Sequence, residues 1–140
     1  MVYKKLLVPV DGSENSVMAC EHAISLAKAG NMTITLLHCY GEMPPIIGGS
    51  ARDEIIALSE AEGKAILAPR LSSCETNGVT CEAIVRSGNP GRTIVTVAQA
   101  EGCDLIVMGS RGLSDFSGMV MGSVSHRVLR HSSIPVLIVR

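Results

Sequence analysis

Apolar residues along this chain gather into short, nearly continuous runs separated by longer stretches in which they recur at helical spacing. The runs are "KKLLVPV", "MTITLLHCY", "TCEAIVR", "CDLIVMG" and "IPVLIV". Bounded by Gly, Pro and polar residues, they read as five strands. Unbroken apolar character, in place of strict alternation, suits strands covered on both faces. Between them, a first helix starts after Ser13, a good N-cap, and carries Val17, Cys20, Ile24 and Ala27 on one stripe until Gly30 stops it. In "GNPGRTIVTVAQAEG", Asn89 can cap, Pro90 suits the first turn, Ile94, Val97 and Ala98 form the buried stripe, and Gly102 ends the helix. Strands alternating with helices predict an open three-layer α/β fold around a parallel sheet, with residues 1–140 forming one domain.

The segment "SARDEIIALSEAEGKAILAPRLSSCETNG" has the composition of a long helix, weakened at Gly63, and a break is expected near Pro69 because proline removes a donor and crowds the preceding turn. Ahead of it, "GEMPPIIGGS" is rich in proline and glycine and predicts a mobile loop at the carboxyl end of the second strand.

The stretch "MGSRGLSDFSGMVMGSVSHRVLRHSS" makes a larger demand on the fold. Gly109, Gly112, Gly118 and Gly122 crowd a strand-to-helix connection longer than packing requires. In open parallel sheets, ligands bind beyond the carboxyl ends of the strands where strand order reverses. The first and fourth strands are the expected neighbours there, carrying "VPVDGS" and "VMGSRG" at their ends. Glycines let backbone approach phosphate oxygens, and a helix start near Gly122 offers unpaired N–H groups and partial positive charge. The pattern predicts a phosphate cradle.

Composition narrows the partners. With 12 Lys and Arg against 13 Asp and Glu, and 2% aromatic residues, the chain lacks the basic surface and stacking rings of a nucleic-acid binder. The 5 cysteines lie apart with no C-x-x-C pair, so they read as reduced thiols and not as a zinc site or a redox dithiol. The first apolar run meets Pro9 and Asp11 before it could act as a signal sequence, and no run is long enough to cross a membrane, so a cytoplasmic protein is expected.

The common nucleotide fingerprints are absent, since neither G-x-x-x-x-G-K-[ST] nor G-x-G-x-x-G occurs. Instead, Gly109, two residues, Gly112, nine residues, Gly122 and Ser123 match the G-2x-G-9x-G-[ST] motif, and on it the chain resembles the ATP-binding members of the universal stress protein family. The likeness runs through "KKLLVPVDGS", "LLHCY", "GNP", "CDLIVMGSRG" and "SSIPVLIVR". It implies a Rossmann-like fold of the adenine nucleotide alpha hydrolase type with strand order 3-2-1-4-5. It also implies that Asp11, beside Pro9 and Val10, meets base and ribose, and that Cys39, after the histidine of the second strand, offers backbone to adenine. Met108, Gly109 and Gly112 would line ribose and phosphates, Arg111 would add a cation, and Gly122, Ser123, Val124 and Ser125 would wrap the phosphate tail.

Each residue also has a plainer reading: Asp11 or Ser123 as a helix cap, Cys39 as a small buried hydrophobe, His38 as a core or strand-end histidine. His126 and His131, beside Arg127 and Arg130, read as a solvated basic face. The resemblance implies a dimeric sensor or regulatory module of the stress response that holds ATP or AMP with Mg²⁺, pairs through its C-terminal strand and acts on a client protein. A slow ATPase, an enzyme phosphorylating itself on Ser114, Ser117, Ser123 or Ser125, and a nucleotide-independent dimeric scaffold remain alternatives. Asp115 is the one acid in the loop.

Overall fold

In the computed structural model, which describes residues 2–112, 118 and 120–140, five parallel strands form one sheet in the order β3-β2-β1-β4-β5. The elements are β1 (Lys5–Pro9), α1 (Glu14–Gly30), β2 (Thr33–Tyr40), α2 (Gly49–Thr76), β3 (Cys81–Ser87), α3 (Pro90–Ala100), β4 (Leu105–Gly109), α4 (Ser123–His131) and β5 (Val136–Val139). The chain winds outward one way from β1 to β3, then returns to the other side of β1 with β4. Strand order therefore reverses between β1 and β4, as expected of the fold.

Side-chain alternation divides the core into two layers. Leu6 and Val8 of β1 pack with Ile34 and Leu36 of β2 against Ala19, Cys20 and Ala23 of α1 and Leu67 of α2. Leu7 and Leu37 point the other way and pack with Ile106 and Met108 against Ile94 and Ala98 of α3 and Val128 of α4. Period-two strands flanked by helices on both faces thus explain why the apolar runs are nearly continuous.

The helix starts follow the capping residues read from the sequence. Ser13 Oγ accepts from the Ser16 amide at 3.2 Å, and Asn89 Oδ1 accepts from the Arg92 amide at 3.2 Å with Pro90 in the first turn. Gly102, with φ of 68°, follows α3.

The expected break near Pro69 does not occur, because α2 runs unbroken from Gly49 through Pro69 to Thr76. Its buried positions, Gly63, Leu67 and Cys74, keep one stripe on the sheet on both sides of the proline. Interior proline costs about 3 kcal/mol, and burial of that stripe outweighs it here. Gly63 is a contact residue: a Cβ there would lie 2.8 Å from Val85 Cγ1 and 3.0 Å from His38 Cδ2. The loop ahead of α2 covers residues 41–48, and the "GS" that closes the loop stretch already belongs to the helix.

All five cysteines are free. Cys20, Cys74 and Cys81 meet in the α1–α2 layer, where hydrogen bonding to Cys74 together with burial pushes the Cys20 and Cys81 thiols up. No described helix is long and apolar enough to cross a membrane.

Candidate functional site

A cleft of about 310 Å³ opens at the carboxyl edge of the sheet, where β1 and β4 part. A cavity of that size admits a small organic ligand. One wall is the end of β1 with Pro9, Val10 and Asp11, and another is the end of β2 with Leu37, His38 and Cys39. Met108, Gly109, Arg111 and Gly112 continue from β4, and Val124 and Ser125 close the far side from α4.

The β1 end is held by backbone and side chain together. The Val10 amide donates to the Leu37 carbonyl at 2.8 Å, and His38 Nδ1 donates to the Val10 carbonyl at 2.8 Å. A carbonyl only accepts, so this contact places a proton on Nδ1. Asp11 Oδ1 accepts from the Ser13 amide at 2.9 Å, spanning Gly12 at φ of 86°. The "VDGS" sequence is therefore a turn in which aspartate braces the helix start and glycine takes the left-handed backbone. Ser13, and not Asp11, is the N-cap of α1.

Gly109 lies directly against helix backbone. A Cβ there would sit 2.7 Å from Asn15 Cβ and 2.9 Å from the Asn15 carbonyl carbon and oxygen. The missing side chain lets the first turn of α1 lie directly on the end of β4, so two walls of the cleft meet.

The return of the chain is fastened by Ser110. Its carbonyl accepts from the Gly122 amide and, at 2.8 Å, from Ser125 Oγ, while its own amide donates to the Val139 carbonyl at 2.9 Å. Ser125 Oγ also lies 3.3 Å from the Gly122 carbonyl. The two ends of the glycine-rich connection are thus tied at one buried carbonyl. Gly122 is the N-cap of α4, so Ser123 is the first helical residue and not the cap.

Of the residues singled out from the sequence, Pro9, Val10, Asp11, Cys39, Met108, Gly109, Arg111, Gly112, Val124 and Ser125 all line the cleft. Gly122 and Ser123 do not; they line an adjoining groove that shares Pro90 and Val124 with it. Ser125 contributes its body and not its hydroxyl, which is buried and committed to Ser110. Asp115, Ser114 and Ser117 lie outside the described residues. Burial pushes the Cys39 thiol up to about 12, so at neutral pH it is a protonated, weakly nucleophilic group.

His38, Leu37, Ser16, Pro90 and Ile94 also line the cleft and were not among the expected ligand residues. A signal for Pro90 existed. Every helix that follows a parallel strand begins at the carboxyl edge, so the start of α3 belongs beside the starts of α1 and α4.

The three helix starts around the cleft are not equivalent. Ser13 caps α1 and Asn89 caps α3, whereas α4 begins at Gly122 with no capping side chain. A helix start to which no capping side chain is given among the described residues suits an external acceptor.

The family model described as the universal stress protein family matches residues 2–140. The chain belongs to the universal stress protein family. Among family relatives, YxiE of Bacillus subtilis is 35% identical over 99% of this chain and 100% of its own length. The solved structure of protein MJ0577, from Methanocaldococcus jannaschii, superposes with a TM-score of 0.90 at 30% identity, covering 99% of this chain and 96% of that one. A universal stress protein solved in complex with cAMP superposes with a TM-score of 0.77 at 28% identity, covering 100% of this chain and 99% of its own.

Proposed function

We propose that this chain is an adenine-nucleotide-binding module of the stress response, with the nucleoside in the β1–β4 cleft and the phosphates at the start of α4. The observation that carries this reading is the uncapped start of α4 facing glycine-bearing backbone at Gly109 and Gly112 across a cleft at the strand-order reversal. It is supported by the family relative that holds cAMP.

Each part has a role in the reading. Asp11 and the backbone of Val10 and Cys39 meet base and ribose, while Pro9, Met108 and Ile94 bound the ring. Gly109 and Gly112 admit the ribose and first phosphate, and Arg111 adds positive charge. Ser123, Val124 and Ser125 offer main-chain N–H groups, while Gly122, whose own amide donates to Ser110, leaves room for a phosphate at the helix start. ATP or AMP fits such a site, and Mg²⁺ would enter with the phosphates, because magnesium is usually held by one or two carboxylates plus substrate oxygens. Asp11 is the single carboxylate among the described residues of the cleft.

At about 100 times its dissociation constant, ATP should stabilise the fold by ~2.7 kcal/mol. That is a few degrees in melting temperature for a chain of this size. Thermal melts with ATP or AMP, and mass spectrometry of ligand released from freshly purified protein by denaturation, test the reading. An unshifted melt from a sample that purifies empty would leave the nucleotide-independent scaffold standing.

The module is proposed to work as a homodimer that passes its occupancy to a client protein. β5 is an edge strand hydrogen-bonded to β4 on one side, and Leu137 on it is 39% exposed while Val136 and Ile138 pack inward. An unpaired apolar edge invites pairing with a twofold copy. Light scattering at micromolar concentration should give twice the chain mass, and Leu137→Lys should shift the sample toward the chain mass. A wild-type monomer would remove the dimer from the proposal.

A further inference from the structure

The groove beside the cleft has a chemistry of its own. It encloses about 570 Å³ between α4 and the start of α3, and it is lined by His126, Arg127, Arg130 and His131 from one and by Asn89 and Gly91 from the other. The four basic residues occupy one face of α4 by their three- and four-residue spacing. A chain with formal net charge −1 thus gathers four of its basic residues on a single wall, and no acidic residue is among the described residues that line the groove.

The ion pairs of the described residues involve Lys5 alone, and neither arginine takes part in them. All four basic side chains are exposed. Arginines with no counter-ion among the described residues raise the local potential and favour an anionic occupant.

One arginine is also held in place. A Cβ on Gly91 would lie 2.6 Å from Arg127 Cδ, 2.8 Å from Cγ and 3.0 Å from Cβ, so the stem of Arg127 rests flat on the start of α3. Guanidinium groups bind phosphate oxygens through paired donors, and restricting the stem lowers the entropy lost on binding.

The groove is continuous with the cleft. Pro90 and Val124 line both, and Gly122 and Ser123 open onto the groove side. A ligand seated in the cleft and growing past Val124 would enter it.

We propose that this groove is a polyphosphate subsite in which Arg127 and Arg130, with His126 and His131, bind the distal phosphates of a nucleotide, so that the protein discriminates among nucleotides by phosphate number. The source of the phosphates rests on the nucleotide reading of the cleft, whereas the anion site rests on the groove alone.

Isothermal titration of the full chain with AMP, ATP and inorganic tripolyphosphate, on wild type and on the Arg127→Gln/Arg130→Gln variant, separates the two. Both arginines are exposed, and a thermal melt checks that the variant stays folded. ATP should bind wild type about tenfold or more tightly than AMP, and the variant should lose most of that advantage while keeping its affinity for AMP. Tripolyphosphate should bind wild type, more weakly with added salt, and fail to bind the variant. Equal affinity of wild type for AMP and ATP, or a variant that weakens both alike, would overturn selection by phosphate number. Absence of tripolyphosphate binding alongside intact AMP binding would overturn the groove and leave the cleft untouched. Tripolyphosphate binding without response to either nucleotide would keep the groove as an inorganic polyphosphate site and overturn the nucleotide as its source.

Discussion

Gly109→Ala is expected to cost about 1–3 kcal/mol of stability, the usual range for an atom forced into a filled space. The added Cβ meets the Asn15 side chain at 2.7 Å and the Asn15 carbonyl group at 2.9 Å. Relief requires α1 to move, because the closest groups include helix backbone and not a flexible side-chain end. That helix start is held by Ser13, whose side chain accepts from Ser16, and by Asp11, which accepts from Ser13. Displacing it would also disturb the cleft that Asp11 and Gly109 both line, so nucleotide affinity should fall together with the melting temperature. At Gly41, by contrast, a Cβ meets nothing within 4 Å, and Gly41→Ala should be nearly neutral. Thermal melts of the two variants decide the matter. A Gly109→Ala protein as stable as wild type would show that α1 has room to shift and that this glycine does not hold the cleft shut.

That role of Gly109 could not be read from the chain, and the reason is general. The spacing of glycines marks where backbone must come close to something, but it does not name the partner. Here the partner is Asn15, far away in sequence and brought near only by the β1–β4 pairing. The same limit explains Ser125, whose place near Gly122 suggests phosphate contact although its hydroxyl is spent on the Ser110 carbonyl. Local signals fared better because they depend on a few neighbouring residues: Ser13 and Asn89 cap the helices they precede, and the five apolar runs are the five strands. The Pro69 expectation failed for the opposite reason, since a local penalty was overridden by the stripe of Gly63, Leu67 and Cys74 packed on the sheet. His38 reads from the chain only as a core or strand-end histidine, because a histidine there has no pattern of its own. Only the folded chain shows its Nδ1 bound to the Val10 carbonyl at the cleft wall.

Purified protein under saturating Mg-ATP should release phosphate well below ~1 per second, the lower end of ordinary enzymes. Each tenfold in rate needs ~1.4 kcal/mol of transition-state stabilisation, and fast phosphoryl transfer draws it from a metal, a cation and a placed nucleophile or base. The described residues of the cleft are poorly supplied with the last of these. Asp11 Oδ1 is engaged by the Ser13 amide, Ser16 Oγ donates to the Ser13 carbonyl at 2.9 Å, and Ser125 Oγ donates to the Ser110 carbonyl. The Cys39 thiol is held protonated by burial. What the proposed site offers phosphate is main-chain N–H groups and arginines, which act on the ground state about as strongly as on the transition state. Such uniform binding raises affinity without raising turnover. Phosphate release should therefore stay slow even when ATP is bound, and a Gly122→Val protein should show the same background if a contaminating ATPase supplies it. A rate of tens per second that disappears in Gly122→Val would overturn the binding-module reading in favour of an enzyme, with Asp11 the first carboxylate to replace.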